Sequence, residues 1–228
     1  FGRVLLTRHS AADEPLLENL LLALRGVHDV LRHHMMLPLP DASDPPLALY
    51  ELLRTEATSG DPVPLLRGGS KSFRVSCVRE GCHSFTSLDI EREVGGALHE
   101  LYSAPASMKQ FDVRVRVDVA KSVVLIGSSL NRDGPLSRRH KLAFTRSVTL
   151  KPNVAYALLQ FSGVCELVAT FAGHPVRVLD PCCGSGTIPL EVVEALDSSC
   201  GATVVEAVGV DKSLAVVKGA QANAAAAG

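Results

Sequence analysis

The sequence of 228 residues contains no tryptophan, and aromatic residues make up only 4% of it. This scarcity disfavours a protein that binds stretched single-stranded nucleic acid, because such sites stack bases on several aromatic rings. Long apolar runs are missing too: 20–24 and 154–159 are far shorter than the roughly 18–20 residues of a membrane span. No basic and apolar leader opens the chain. We therefore expect no membrane partner and a cytoplasmic location, with the nucleus as the alternative.

Metal-binding patterns are also absent. Six cysteines occur, but none forms a CxxC pair, so the spacing of a zinc ribbon is missing. Cys182 and Cys183 are adjacent and are poorly suited to one disulfide framework. His33, His34 and His83 lack the spacing of metal ligands. The sequence predicts reduced thiols and no metal site.

Charge is distributed unevenly although the net charge is only −1. Residues 60–151 hold 15 Lys and Arg against 9 Asp and Glu, whereas both flanking segments are acidic. A basic segment can attract a polyanion, although scattered surface charge is the simpler explanation. The candidate RNA-binding residues are Arg79, Arg114, Arg116, Lys121, Arg138, Arg139, Lys141 and Arg146.

Hydrophobic periodicity predicts two kinds of architecture. Strands over 3–6, 27–36, 72–79, 112–119 and 122–126, with helices over 12–25, 47–55 and 88–101, indicate an α+β region with helices on one face of an antiparallel sheet. The basic stretch 131–148 is interpreted as a linker. A helix over 149–161 then precedes strand, helix, strand and helix at 176–179, 188–196, 204–210 and 213–227. That order is typical of the opening of a doubly wound α/β sheet.

The most specific motif lies where the strand over 176–179 gives way to a helix. Gly184 and Gly186 allow the backbone to approach a ligand closely, and the helix start offers free N–H groups. Asp211, after the next strand, is placed to accept ribose hydroxyls. Pro189 occupies the third glycine position of a dinucleotide loop, and Asp180 is a poor neighbour for a pyrophosphate. The pattern favours S-adenosylmethionine, which has a cationic end, over a dinucleotide or a purely structural turn.

These residues resemble a known family. DPCCGSGTIPLE over 180–191 is similar to motif I of class I methyltransferases that modify guanine N2 in RNA, and TLKPNVAYALL over 149–159 is similar to the helix before it. FRVSCVREGCHSFTS over 73–87, with Gly95-Gly96 and the strands over 112–126, resembles a THUMP domain, an RNA-binding module. The combination resembles THUMP-domain tRNA guanine-N2 methyltransferases. The cofactor-binding residues this implies are Asp180, Pro181, Cys182, Gly184, Gly186, Thr187, Asp211, Thr149 and Lys151.

The resemblance also implies a domain order. We expect a ferredoxin-like region over 1–65, a THUMP-like domain over 66–130, the basic linker over 131–148 and a Rossmann-like methyltransferase domain over 149–228, truncated before its end. Structured RNA, most simply tRNA, is the expected partner, with a small zinc-binding activator subunit as a further partner by analogy. Glu191 could bind cofactor or form a surface ion pair.

One family feature is missing: no Asn or Asp followed by Pro-Pro and an aromatic residue occurs in the chain. No catalytic residue is therefore assigned, and we expect this stretch alone to be inactive. Two alternatives stay open at this point. One is a non-catalytic RNA-binding adaptor with a vestigial Rossmann part, and the other is a small-molecule methyltransferase.

Overall fold

The computed structural model describes residues 4, 6, 14–56, 60–131, 134–170, 176–200 and 205–227. The predicted strand over 3–6 lies largely outside the described residues. The chain divides into two compact units, one of residues 30–132 and one of residues 1–29 together with 133–228. In the described part of the chain, no helix is both long and apolar enough to cross a membrane.

The unit of residues 30–132 has a four-stranded sheet with the strand order β1-β4-β3-β2. Its core combines one face of the sheet with the helices, and Val115, Val117 and Val119 are fully buried because every second residue of β3 points to that face. The elements are β1 (Leu31–Pro38), α2 (Pro45–Glu56), β2 (Phe73–Glu80), α3 (Ser87–Tyr102), β3 (Val113–Ala120) and β4 (Val123–Ser129).

The predicted antiparallel sheet is wrong for one pair of strands. β4 is antiparallel to both β1 and β3, but β2 and β3 are parallel, from Phe73 beside Val113 to Glu80 beside Ala120. The reason is the connection between them, since a helix that carries the chain back along the sheet starts the next strand in the same direction. A capping box starts that helix: Thr86 Oγ1 accepts from the Asp89 N–H, and the Asp89 carboxylate accepts from the Thr86 N–H.

The second unit contains the predicted parallel strands. β5 and β6 pair in parallel, with Asp180 beside Gly209 at their carboxyl ends, and α6 connects them. Leu159, Val192 and Leu196 are the centre of its apolar core. Its elements are α1 (Glu14–Leu22), α4 (Pro152–Ser162), α5 (Val164–Thr170), β5 (Val176–Asp180), α6 (Thr187–Cys200), β6 (Val205–Gly209) and α7 (Leu214–Ala227). The helix α5 was not predicted from the sequence.

The compact units do not coincide with the domain boundaries expected from the sequence. β1 lies in the region expected to be ferredoxin-like, yet it hydrogen bonds to β4 in the same sheet as β2 and β3. The segment expected to be a linker falls mainly in the second unit. The compact units do not define homologous domains, so the domain boundaries expected from the sequence stay a prediction.

Candidate functional site

The loop between β5 and α6 is built on backbone hydrogen bonds to the neighbouring strand end. The Val210 N–H donates to the Asp180 carbonyl at 2.8 Å, and the Cys183 N–H donates to the Val210 carbonyl at 2.8 Å. Within the loop, the Gly186 N–H donates to the Cys183 carbonyl, and the Cys182 N–H donates to the Asp180 carboxylate at 3.0 Å. The conformation of the loop is therefore held by the chain's own hydrogen bonds.

Two glycines make this turn sterically accessible. Gly184 and Gly186 have φ of +54° and +85°, a region that other residues rarely adopt. A Cβ on Gly184 would meet nothing within 4 Å, whereas one on Gly186 would lie 3.3 Å from the Ala220 Cβ of α7. Gly184 thus exposes backbone to the space in front of the loop, and Gly186 lets α7 pack behind it.

Asp211 connects the two strand ends. One carboxylate oxygen accepts from the Gly184 N–H at 3.2 Å, and the other accepts from the Ser213 N–H at 2.9 Å. The side chain is only half-buried, so each oxygen keeps a lone pair available. Asp211 can therefore hold the loop and accept hydrogen bonds from a ligand with the same carboxylate.

A pocket opens in front of the loop and brings together five of the predicted cofactor residues: Thr149, Asp180, Cys182, Gly184 and Thr187. The other four, Pro181, Gly186, Lys151 and Asp211, do not line it; Lys151 is exposed at the start of α4. Six further residues line the pocket and were not predicted as cofactor-binding residues from the sequence: Arg146, Val148, Leu150, Cys183, Ser185 and Ile188.

The pocket contains polar groups that a polar ligand would satisfy. Thr187 is 1% exposed, and its hydroxyl has no hydrogen-bond partner among the described residues. Such a buried orphan is uncommon and indicates a missing partner. Cys183 is a buried residue of the same lining; burial first, then the carboxylates of Asp180 and Asp211, raises the pKa of its thiol, which disfavours the reactive thiolate.

A strap of residues 136–149, most of which belong to the predicted linker over 131–148, lies against this loop. Asn223 of α7 is 1% exposed; its side-chain oxygen accepts from the Phe144 N–H at 2.7 Å, and its amide donates to the carbonyls of Phe144 and Ser185 at 2.8 Å each. Gly219 leaves room for the Phe144 ring, since a Cβ there would lie 2.3 Å from it. One buried amide thus joins the strap, the loop and α7.

The other end of the strap is anchored by a buried ion cluster centred on Glu191 of α6. The carboxylate is fully buried and accepts four hydrogen bonds. They come from Arg25 at 2.6 Å, from two guanidinium nitrogens of Arg139 at 3.2 and 3.1 Å, and from His140 at 3.0 Å. Arg139 also donates to the Arg25 carbonyl at 2.6 Å. The expectation of a surface ion pair at Glu191 is therefore wrong, because the strap covers this face of α6.

Glu194 extends the cluster. Its carboxylate lies 2.7 Å from the Arg25 guanidinium and 2.9 Å from Nδ1 of His140. Both ring nitrogens of His140 thus lie within hydrogen-bond distance of a carboxylate, one of Glu191 and one of Glu194. Burial raises the pKa of Glu191, but hydrogen bonds from His140, Arg25 and Arg139 outweigh it and lower the pKa to about 2.

The candidate RNA-binding residues are not equivalent in the structure. Arg139 is committed to Glu191, and the Arg116 guanidinium lies 2.6 Å from Asp118. Neither is a free phosphate ligand, a difference that charge patterning cannot detect. Arg114 is half-buried on the face of the sheet away from the core. Exposed positions are occupied by Lys121, Arg138, Lys141 and Arg146.

Two of the candidate RNA-binding residues, Arg79 and Lys121, lie near each other where β2 ends. The Arg79 guanidinium lies 5.6 Å from the centre of the Phe85 ring. The centres of the His83 and Phe85 rings are 5.0 Å apart. His83 Nε2 lies 2.8 Å from the Lys121 carbonyl, and the Lys121 N–H donates to the Glu80 carbonyl. Arg79 and Lys121 are therefore held on one edge of the unit of residues 30–132.

Comparison with known proteins matches both parts of the chain. Residues 62–128 match the THUMP domain, and residues 139–228 match the RMKL-like methyltransferase domain. A tRNA (guanine(6)-N2)-methyltransferase of Thermus thermophilus is 39% identical over 195 residues, 86% of this chain and 51% of that protein. The mouse tRNA (guanine(6)-N(2))-methyltransferase THUMP3 is 35% identical over 122 residues, 53% of this chain and 22% of that protein.

Solved structures agree with the fold. The crystal structure of TrmN from Thermus thermophilus has a TM-score of 0.62 and 37% identity, and the match covers 90% of this chain and 55% of that one. SMU.472, solved in complex with SAH, also has a TM-score of 0.62 at 17% identity, covering 93% of this chain and 62% of that one, which shows a shared fold. The fold class predicted from the sequence is confirmed. The chain spans about half the length of the Thermus relative.

The ion cluster makes a prediction for Glu191→Gln. Removing one charge from a buried cluster leaves its partners uncompensated, so the free energy of unfolding at pH 7 falls by about 3 kcal/mol. A carboxylate with a lowered pKa stabilises the fold above its unfolded-state value near 4.5, and that contribution disappears as the pH falls toward 2. Denaturant titrations from pH 7 to pH 2 should therefore show less acid destabilisation in the variant.

The matched control is Glu206→Gln, which removes a carboxylate from an exposed pair with Arg177. Exposed pairs contribute about 0–1 kcal/mol, so this variant should be close to wild type. Equal effects of the two substitutions would show that burial of Glu191 has no energetic consequence.

Proposed function

Because the chain carries a THUMP domain followed by an RMKL-like methyltransferase domain, we propose that it belongs to an S-adenosylmethionine-dependent tRNA methyltransferase that modifies guanine N2. The observation that carries this proposal is the pocket at the β5–α6 loop, with an orphan Thr187 hydroxyl and Asp180 in its lining. The names of the Thermus and mouse relatives supply the reaction and the RNA. The proposed compartment is the cytoplasm.

The residues fit the cofactor by charge, and the glycine turn leaves room for its approach. When bound, S-adenosylmethionine supplies an activated methyl group on a cationic sulfur. We assign Asp180 to its ammonium group, because an anionic side chain at the loop favours a cation and disfavours a phosphate. We assign Asp211 to the ribose hydroxyls, and the exposed backbone at Gly184 to the close approach of the cofactor. The chain's own part in the reaction is to bind and orient.

We propose that the THUMP domain binds folded tRNA by contacts to the phosphate backbone of the RNA. Arg79 and Lys121 are the strongest candidates, because they lie at one edge of the unit and are not committed to ion pairs like those of Arg116 and Arg139. Contacts of this kind position an RNA by its phosphates and shape without reading its bases. A zinc-binding activator subunit stays a prediction from the family resemblance.

The cofactor assignment predicts that Asp211→Ala weakens binding of S-adenosylhomocysteine by about 10- to 100-fold, since the ribose hydroxyls of the ligand would lose their acceptor. Isothermal titration of the full chain measures this. Asp211→Asn retains one oxygen and the contact to a backbone N–H, so its affinity for S-adenosylhomocysteine should lie between those of wild type and Asp211→Ala. Glu206→Ala is the control, because Glu206 is exposed and lies in β6, the strand that precedes Asp211. Wild-type affinity in Asp211→Ala would remove this carboxylate from the site.

The RNA assignment predicts weaker tRNA binding when Arg79 and Lys121 are both changed to Glu. Each phosphate contact releases counterions, so the dependence of log affinity on log salt should become shallower by about 1–2. Gel-shift titrations with several folded tRNAs at different salt concentrations measure both quantities. All tRNAs should be affected alike.

The control is Arg177→Glu with Lys218→Glu, which makes the same charge change at exposed positions of the other unit. Circular dichroism verifies that both double variants fold. If the two double variants lose affinity equally, the effect is one of net charge, and the assignment to the edge of the THUMP domain fails.

A further inference from the structure

The pocket at the β5–α6 loop has charges of both signs. Among the described residues that line it, Asp180 is anionic and Arg146 is cationic, and the others are neutral. The methionine end of the proposed cofactor also carries both signs, an ammonium and a carboxylate on one carbon atom. Asp180 alone would match only half of that group.

Arg146 is free to serve the pocket. Its side chain is exposed, and it makes no hydrogen bond or ion pair with the residues that the structure describes. Its backbone, in contrast, is held: the Arg146 N–H donates to Thr149 Oγ1 at 2.8 Å, and the Thr149 N–H donates to the Arg146 carbonyl at 3.0 Å. Thr149 Oγ1 also accepts from Ser185 Oγ of the loop at 3.3 Å.

The strap explains why Arg146 stays at this place. Two residues earlier, Phe144 is bound through its N–H and carbonyl to the buried amide of Asn223, which also binds the loop carbonyl of Ser185. The guanidinium therefore extends from a backbone that is joined to the loop on both sides. A planar guanidinium suits a carboxylate, with which it forms two parallel hydrogen bonds.

Two other features favour an anion at the same place. α6 begins at Thr187, and the positive end of a helix dipole stabilises negative charge. Thr187 is one of the residues that line the pocket, and its buried hydroxyl has no partner among the described residues, so it is available to donate. Arg146, the hydroxyl and the helix start form a set of donors opposite in charge to Asp180.

We propose that Arg146 binds the carboxylate of the methionine end of S-adenosylmethionine while Asp180 binds its ammonium group. This assignment rests on the proposed function. It moves Arg146 from the candidate RNA-binding residues to the cofactor site, and it makes the strap part of that site.

The test compares two ligands that differ by this carboxylate alone: S-adenosylmethionine and its decarboxylated form. Arg146→Gln in the full chain should weaken binding of S-adenosylmethionine by about 10- to 100-fold in isothermal titration, the range of a lost hydrogen bond between charged groups. The same variant should bind the decarboxylated ligand as wild type does. Arg146→Lys, which keeps the charge but loses the planar pair of donors, should lie in between.

Two controls separate the explanations. Arg138→Gln removes an exposed arginine of the same segment and should leave both affinities unchanged. Asp180→Asn should weaken binding of both ligands, since both retain the ammonium group to which Asp180 is assigned. The melting temperature of Arg146→Gln should match that of wild type, because the side chain is exposed.

The outcomes are distinguishable. If wild type binds neither ligand, the proposed function and this assignment both fail. If Arg146→Gln retains affinity for S-adenosylmethionine, or loses affinity for both ligands equally, only the assignment of Arg146 fails. Unchanged cofactor affinity with weaker tRNA binding would return Arg146 to the RNA-binding residues and overturn the proposal.

Discussion

A fully buried carboxylate destabilises a fold unless cations and hydrogen-bond donors surround it. Glu191 is such a carboxylate, and the second unit must supply its partners. The cluster joins three separate segments of the sequence: Glu191 lies in α6, and its partners are Arg25 after α1 and Arg139 with His140 in the strap. None of these segments can move alone without leaving a charge uncompensated. The same helix begins at Thr187, so the ion cluster also fixes the start of α6 at the pocket.

The strap connects this ion cluster to the β5–α6 loop. One end is fixed at Arg139 and His140, the middle at the buried amide of Asn223, and the far end at Thr149 beside Ser185. The residues between these anchors, including Arg146, are held in front of the loop. The pocket is thus formed by two segments that are about 35 residues apart in the chain but are joined by buried polar contacts, which are costly to break.

Several features could be predicted from the sequence because they depend on local patterns. Alternation of valines in β3 and the glycine turn before α6 both predicted the structure, and the turn placed Asp180 and Gly184 in one pocket. The parallel pairing of β2 with β3 could also have been inferred, since a helix separates them. α5 was missed because seven residues give too little periodicity for recognition.

Long-range partners are a different matter. Nothing near Glu191 in sequence shows that arginines at positions 25 and 139 neutralise it, so the interpretation as a surface pair was the natural one. For the same reason, Arg139 and Arg146 were grouped as RNA ligands although one is bound in an ion cluster and the other lines a pocket. Charge patterning identifies a basic segment, but only tertiary contacts show which of its charges are available.

Hydrogen–deuterium exchange of the full chain tests most directly whether the strap is an integral part of the cofactor site. Amides of residues 140–149 should exchange as slowly as those in the first half of α6, and S-adenosylhomocysteine should slow both segments further. In Glu191→Gln, the strap should exchange faster while β3 and β4 are unchanged. Exchange of the strap in wild type at the rate of an unstructured peptide, with or without the ligand, would contradict the account.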